Sequence, residues 1–213
     1  MRGHSFLHSR RLDLLLVVAV VALGAWWLAP ASSPRSSEAS PAEVSAPEIA
    51  AQSRADALVS AAMASYRGGR YQEAEKLYDK AIELAPEYAR AWAARGGYRY
   101  THLKDYQGAI EDYGRALEIG PVGPGQGGLN ALVNRAWSLY MEELYEEAYQ
   151  DADRAVQHFP SSAAAWDVRG CAELGRGNPR QALADIEKAI ELDAHQAVFE
   201  KHRGWALERL KVE

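Results

Sequence analysis

The block Tyr71-Gln-Glu-Ala74-Glu-Lys-Leu-Tyr78-Asp-Lys-Ala81-Ile-Glu-Leu-Ala-Pro86 recurs along the chain, and its recurrence constrains the fold more than any other feature. Echoes run from Tyr106 to Pro121, from Tyr145 to Pro160 and from Pro179 to Ala194. A shorter helical pattern precedes them: Trp92-x-x-Arg95-Gly96, Leu132-x-x-Arg135-Ala136 and Trp166-x-x-Arg169-Gly170. Two helices per unit at a period of about 34 residues predict an all-α solenoid. Such a fold offers a long concave face to a partner, and nothing in its design requires a reacting centre.

The second helix keeps fixed columns: Ala74, Tyr78, Ala81, Pro86, then Ala109, Tyr113, Ala116, Pro121. They continue as Ala148, Ala152, Ala155, Pro160, and as Ala182, Ile186, Ala189, Ala194. Ala and Gly allow close approach of paired helices, and Pro closes each unit because it cannot continue a helix. These columns resemble those of the tetratricopeptide repeat (TPR) family. The resemblance implies a right-handed superhelical solenoid of four helix-turn-helix repeats, at about 55–88, 89–123, 129–162 and 163–196. A solvating cap helix follows at 197–213, with Glu200, Lys201, Glu208 and Arg209 facing water.

Departures from the pattern are specific. Repeat two carries one extra residue in its internal turn, around Leu103 to Asp105, and repeat four has Pro179 where the others have Tyr. Pro121-Val-Gly-Pro-Gly-Gln-Gly-Gly128 lies between repeats two and three. No helix tolerates that run, and it lacks the Gly-Lys-Ser/Thr ending of a phosphate-binding loop, so it reads as a lengthened connection.

Before the repeats, residues 1–11 form a basic tip. Residues 12–29 are apolar apart from Asp13 and end beside Trp26 and Trp27. At about 1.5 Å per residue this run spans roughly 25 Å, workable at the lower limit for a transmembrane helix. Two readings stay open: a retained signal anchor, oriented by Arg2, Arg10 and Arg11, or a signal peptide cut after Ala29-Pro-Ala31. The anchor makes a single-pass membrane protein with its repeats on the periplasmic or extracytoplasmic side, and cleavage makes a secreted one. Residues 30–53 are rich in Ala, Ser, Pro and Glu and read as a disordered tether, with the repeat domain at 54–213.

The net charge of −5 falls entirely on the repeats, because Arg2, Arg10, Arg11 and Arg35 balance Asp13, Glu38, Glu43 and Glu48. That argues against nucleic acid as a partner, since its binding needs a basic surface to displace counterions. Arg95, Arg135, Arg169 and Arg203 share one first-helix column, while Asp112, Asp151 and Asp185 share one second-helix column. Repeat one has Ala61 and Leu77 in those places. Joint presence and joint absence predict structural pairs Arg95–Asp112, Arg135–Asp151 and Arg169–Asp185 that fix helix register, with Asp185 as a candidate partner for Arg203. No catalytic, cofactor-binding or metal-ligating constellation is legible. Within the repeats His195 and His202 are the closest His pair, without a Cys cluster or HExxH beside them, and Cys171 reads as a small apolar residue. The chain reads as a non-enzyme with no cofactor and no small-molecule substrate.

By resemblance, the first helices line a groove for a protein or peptide partner. The expected groove residues are Val59, Met63, Tyr66 and Arg67, then Arg90, Gly97, Tyr100 and Thr101, then Asn130, Val133, Asn134, Trp137 and Tyr140, and finally Asp167, Val168, Cys171 and Leu174. Tyr66, Tyr100 and Tyr140 share a column, either as an aromatic ladder or as packing between layers. The columns that form the carboxylate clamp of chaperone-binding TPR domains hold Val59, Met63, Ala93 and Ala94, so capture of an Hsp70 or Hsp90 tail is disfavoured. The resulting expectation is a membrane-tethered scaffold or adaptor. The alternatives are a subunit of a larger envelope or secretion assembly, or a secreted binding protein.

Overall fold

Nine α-helices and no strand carry residues 45–120 and 128–211, which the computed structural model describes. In chain order they are α1 (Ala46–Arg67), α2 (Tyr71–Leu84), α3 (Ala89–Tyr98), α4 (Tyr106–Ile119) and α5 (Gly128–Met141). Then come α6 (Tyr145–His158), α7 (Ala163–Gly175), α8 (Pro179–Leu192) and α9 (Ala197–Leu210). Odd-numbered helices are the first helices of the repeats, even-numbered ones the second, and α9 is the unpaired cap. Each second helix packs on its own first helix and on the next one along the chain. Helix α1 begins at Ala46, inside the stretch expected to be disordered tether. Pro47 in its first turn and Glu48 beside the amide end favour helix initiation there. The basic tip, the apolar segment 12–29, the tether up to residue 44 and the connection 121–127 lie outside the described residues. Among the described residues no helix is long and apolar enough to cross a membrane.

The core is built on small residues. Ala74, Ala81, Ala109, Ala148, Ala155, Ala182 and Ala189 are fully buried. At such columns the facing backbones approach until larger neighbours, such as Tyr113 and Ile186, fill the remaining space. Trp92 and Trp166 tie consecutive repeats together: each indole N–H donates to the carbonyl of the preceding unit's proline, Pro86 and Pro160, at 2.8 Å.

The turn inside each repeat requires one left-handed residue. Gly69 (φ 74°), Lys104 (φ 57°), Glu143 (φ 60°) and Gly177 (φ 82°) occupy it in repeats one to four. In three repeats the following N–H reaches back five residues: Arg70 to Ser65 at 2.8 Å, Leu144 to Leu139 at 2.9 Å and Asn178 to Glu173 at 2.9 Å. This is the Schellman closure of a helix. In repeat two Asp105 N–H instead reaches six residues back, to the Arg99 carbonyl, at 3.1 Å. The extra residue is absorbed as a π-helical turn, Arg99–Leu103, that continues α3. The Asp105 carboxylate then caps α4 by accepting from Gly108 N–H at 2.9 Å. Because a side chain in the left-handed region costs about 1 kcal/mol, Glu143→Gly is expected to stabilise the domain by roughly 0.5–1 kcal/mol in urea unfolding. A loss of stability would show that the Glu143 side chain contributes more than its backbone costs.

Candidate functional site

The first-helix residues expected to line a groove divide by depth. Met63 is exposed, as are Arg67, Arg90, Thr101 and Asn130, while Gly97, Asn134, Trp137 and Tyr140 are half-buried. Val59 and Val133 are not available to a partner: both are buried, because they pack against the second helix of their own repeat and the next first helix. The repeat-four quartet Asp167, Val168, Cys171 and Leu174 is also buried, since the cap helix α9 seats on α7. The groove expected over repeat four is therefore already filled by the chain itself. Arg90 is exposed but committed, pairing with Asp56 of α1, whose carboxylate also accepts from the Tyr88 hydroxyl at 2.6 Å.

The tyrosine column does not form a ladder. Each ring rests on the aromatic residue that opens its own second helix: Tyr66 on Tyr71 (5.8 Å between centroids), Tyr100 on Tyr106 (5.6 Å) and Tyr140 on Tyr145 (5.4 Å). The column thus packs against each repeat's own second helix, and at Tyr66 against the next repeat as well. Tyr66 further meets Tyr98 and His102, which the π-helical turn directs back onto Tyr71 at 3.8 Å. Burial raises the pKa of Tyr100, and of Tyr140 with a smaller push from Cys171.

Around Tyr140 the surface becomes concave. A cleft of about 400 Å³ is lined by Tyr140 and Tyr145 of repeat three, Leu174, Gly175 and Gly177 of repeat four, and Trp205, Glu208 and Arg209 of α9. Trp137 packs edge-on behind Tyr140, at 5.7 Å. Gly175 lets the Tyr145 ring lie against the end of α7, because a Cβ there would lie 2.2 Å from that ring.

The charged columns meet as pairs. Arg95 grips Asp112 through Nε at 2.9 Å and Nη2 at 2.7 Å. Arg135 grips Asp151 at 2.5 and 2.7 Å, and Arg169 grips Asp185 at 2.7 Å through both nitrogens. Two of these arginines hold a second carboxylate that single-column reading missed. Arg95 Nη1 donates to Asp79 and Arg169 Nη1 to Asp153, both at 2.8 Å, and both acceptors sit on the preceding repeat's second helix. The corresponding position before Arg135 is Gly114, where a Cβ would lie 3.4 Å from Arg135 Nη1. Aligning Asp79, Gly114 and Asp153 as a column would have exposed this pattern. Burial pulls down the Arg95 pKa, but its hydrogen bonds to Asp112 and Asp79 override that and hold it above the ordinary arginine value. Arg169 is raised first by its hydrogen bond to Asp185. Trp92 and Trp166 lie under these guanidinium groups, at 5.1 and 4.6 Å. Arg203 departs from expectation. It turns to Glu200 on its own helix at 2.6 Å rather than to Asp185.

His202 does not associate with His195, which is exposed. Its Nδ1 lies 2.7 Å from an Asp167 carboxylate oxygen, with both groups buried and Cys171 one helical turn beyond Asp167. Burial pushes the Cys171 thiol well above the ordinary thiol range, so it is no nucleophile in this state.

Comparison with known proteins agrees with this geometry. A family model described as "Tetratricopeptide repeat" matches residues 50–124. The heat-shock protein cognate co-chaperone sgt12 of Aspergillus fumigatus is 30% identical over 146 residues, covering 68% of this chain and 41% of that protein. The type IV pilus assembly protein PilF of Pseudomonas aeruginosa is 28% identical over 143 residues, 66% of this chain and 54% of its own length. A solved PilF structure superposes with a TM-score of 0.63 at 25% identity, covering 77% of this chain and 71% of that one. MamA from Desulfovibrio magneticus RS-1 shares the fold, with a TM-score of 0.64 at 20% identity over 74% of this chain and 85% of that one. The chain spans 30% and 31% of the length of two yeast and smut-fungus relatives that carry the same repeats.

Proposed function

We propose, from the premise that the chain is a tetratricopeptide-repeat protein, that it is a non-catalytic adaptor that binds a protein or peptide partner and holds it beside a membrane. The carrying observation is the cleft at the junction of repeats three and four with the cap. It offers Tyr140, Tyr145 and Trp205 beside the charged side chains of Glu208 and Arg209, residue types that anchor protein partners. A cleft of this size accepts one or two side chains of an extended or helical segment, with the rest of the partner lying along the exposed residues Asn130 and Met63. The membrane part rests on residues 12–29, which would anchor the protein and raise the local concentration of whatever the repeats capture. In that arrangement the repeats lie on the periplasmic or extracytoplasmic side.

A second reading is favoured by a separate observation. Val198, Trp205 and Leu207 are exposed on α9, and the PilF relative is by name an assembly protein. In that case the repeats serve as a subunit of a larger envelope assembly, with α9 at its interface.

Photo-crosslinking in the native host tests the adaptor. A crosslinker replacing Tyr145, which lines the cleft, is expected to give a discrete adduct, and one replacing Glu75 on the solvated face of α2 none. Equal adducts at both positions, or none at Tyr145, would overturn the cleft as the binding site. Deleting residues 12–28 is expected to move the protein from the membrane pellet to the soluble fraction, and unchanged fractionation would remove the anchor.

A further inference from the structure

Three columns of the repeat change chemistry at one place. Asp167 stands where the other repeats have Val59, Ala93 and Val133, and Cys171 where they have Met63, Gly97 and Trp137. His202 stands where they have Ala94, Asn134 and Val168. Nothing in the repeat geometry requires a carboxylate, a thiol or an imidazole at these positions, since the other repeats pack without them. The fold nevertheless brings the three together at the interface of α7 with α9. Asp167 and Cys171 are four residues apart and share one face of α7, and His202 arrives from α9. Their donor atoms, one oxygen, one sulfur and one nitrogen, all lie within 4.8 Å of one another. All three residues are buried, at 3%, 0% and 5% exposure. Rings of Trp137 and Trp205 flank the imidazole at 5.7 and 4.8 Å, so the site is enclosed by apolar surface.

We infer that Asp167, Cys171 and His202 form a zinc(II) site that staples the cap helix α9 to repeat four. The donor set selects the metal. Magnesium and calcium take oxygen ligands, whereas a thiolate, an imidazole and a carboxylate together suit zinc. Tetrahedral zinc with 2.0–2.3 Å bonds places its donors roughly 3.3–3.8 Å apart, between the 2.7 Å of the Asp167–His202 contact and the 4.8 Å that bounds the donor set here. The Asp167–His202 contact then opens slightly as both groups turn to the metal. Binding converts the Cys171 thiol to a thiolate and releases its proton to solvent, and water takes the fourth position. Entry is by opening of α9, which among the described residues packs mainly on α8 and α7. Because Trp205, Glu208 and Arg209 ride on α9, metal occupancy would also fix the wall of the cleft.

Cobalt(II) reports the site directly. The full-length chain in detergent, stripped with a chelator, is titrated with cobalt chloride. The expected result is a saturable one-equivalent signal with a thiolate-to-cobalt charge-transfer band and tetrahedral ligand-field bands, all displaced by zinc. Cys171→Ser is expected to abolish the charge-transfer band. His202→Asn and Asp167→Asn are expected to weaken binding by at least the roughly 100-fold that loss of an outer-shell partner alone can cost, and His195→Asn to leave it unchanged. Circular dichroism of each variant before titration separates loss of metal from loss of fold. If a variant fails to fold, the wild-type titration decides alone. No charge-transfer band in the wild type, a band that survives Cys171→Ser, or a melting temperature unmoved by one equivalent of zinc would each overturn the assignment and leave a buried Asp–His hydrogen bond beside an inert thiol.

Discussion

Arg135→Ala is expected to destabilise the repeat domain by about 3 kcal/mol, lowering its melting temperature by roughly 6–12 °C. Asp151 is buried and depends on Arg135 for its two short hydrogen bonds, while Arg154 is 3.8 Å away and half exposed. Removing the guanidinium leaves a carboxylate that water cannot reach, and that stranded charge is the main cost. The same truncation at Arg95 is expected to cost less, since Arg99 Nη1 remains 3.1 Å from Asp112. Replacing both members together, as Arg135→Met with Asp151→Leu, is expected to recover most of the loss because no charge is then stranded. Thermal and urea melts check the series. An Arg135→Ala shift below a couple of degrees would show that the pair sets register without stabilising it.

Gly170→Leu is expected to cost about 3 kcal/mol, at the upper end for overpacking. Even a single Cβ at Gly170 would lie 2.7 Å from Ile186 Cγ1 and 3.0 Å from the Ala182 carbonyl, so α7 and α8 would have to separate. Gly96 occupies the same column in repeat two, but its nearest contacts, at 3.2–3.3 Å, are the Asp112 Cβ and the Tyr113 ring, and Ala136 already fills the column in repeat three. Gly96→Ala is therefore expected to be near neutral, with helix propensity offsetting a small side-chain shift. Equal melts for the Gly170→Leu variant and the parent chain would mean that the α7–α8 interface yields more than close packing allows.

How much of this was legible in the chain depends on the range of each signal. The helices and the Arg–Asp contacts were readable because each repeat is an independent copy, so matched columns reveal which positions vary together. The start of α1 was missed because Ala, Ser and Glu suit both a helix and a tether, and the decisive Pro47 lies in a proline-containing stretch. The extra residue of repeat two was visible, but its fate as a π-helical turn was not, since sequence spacing is the same for a longer loop. The groove was misjudged at Val133 because its column reads the same whether it faces a partner or the neighbouring helices, and over repeat four because α9 covers α7 with its own side chains. The Asp167–Cys171–His202 cluster escaped because its members sit in three different columns on two helices, so no single column shows them together.

The second carboxylate held by Arg95 and Arg169 makes the end of one repeat specific for the start of the next. Repeats one and three present Asp79 and Asp153 to the following arginine, whereas repeat two presents Gly114. The junctions thus obey a grammar in which two kinds of repeat ending occur, and only one completes the arginine's coordination. A chain shortened by joining residue 88 to residue 163 would set Asp79 opposite Arg169 at the native spacing of sixteen residues seen in both intact pairs. Joining repeat two to repeat four instead would put a glycine there. Repeats one and three are thus interchangeable neighbours of repeat four, a constraint on how such an array can be cut and re-spliced, or could have grown by duplication, without losing its internal bonds.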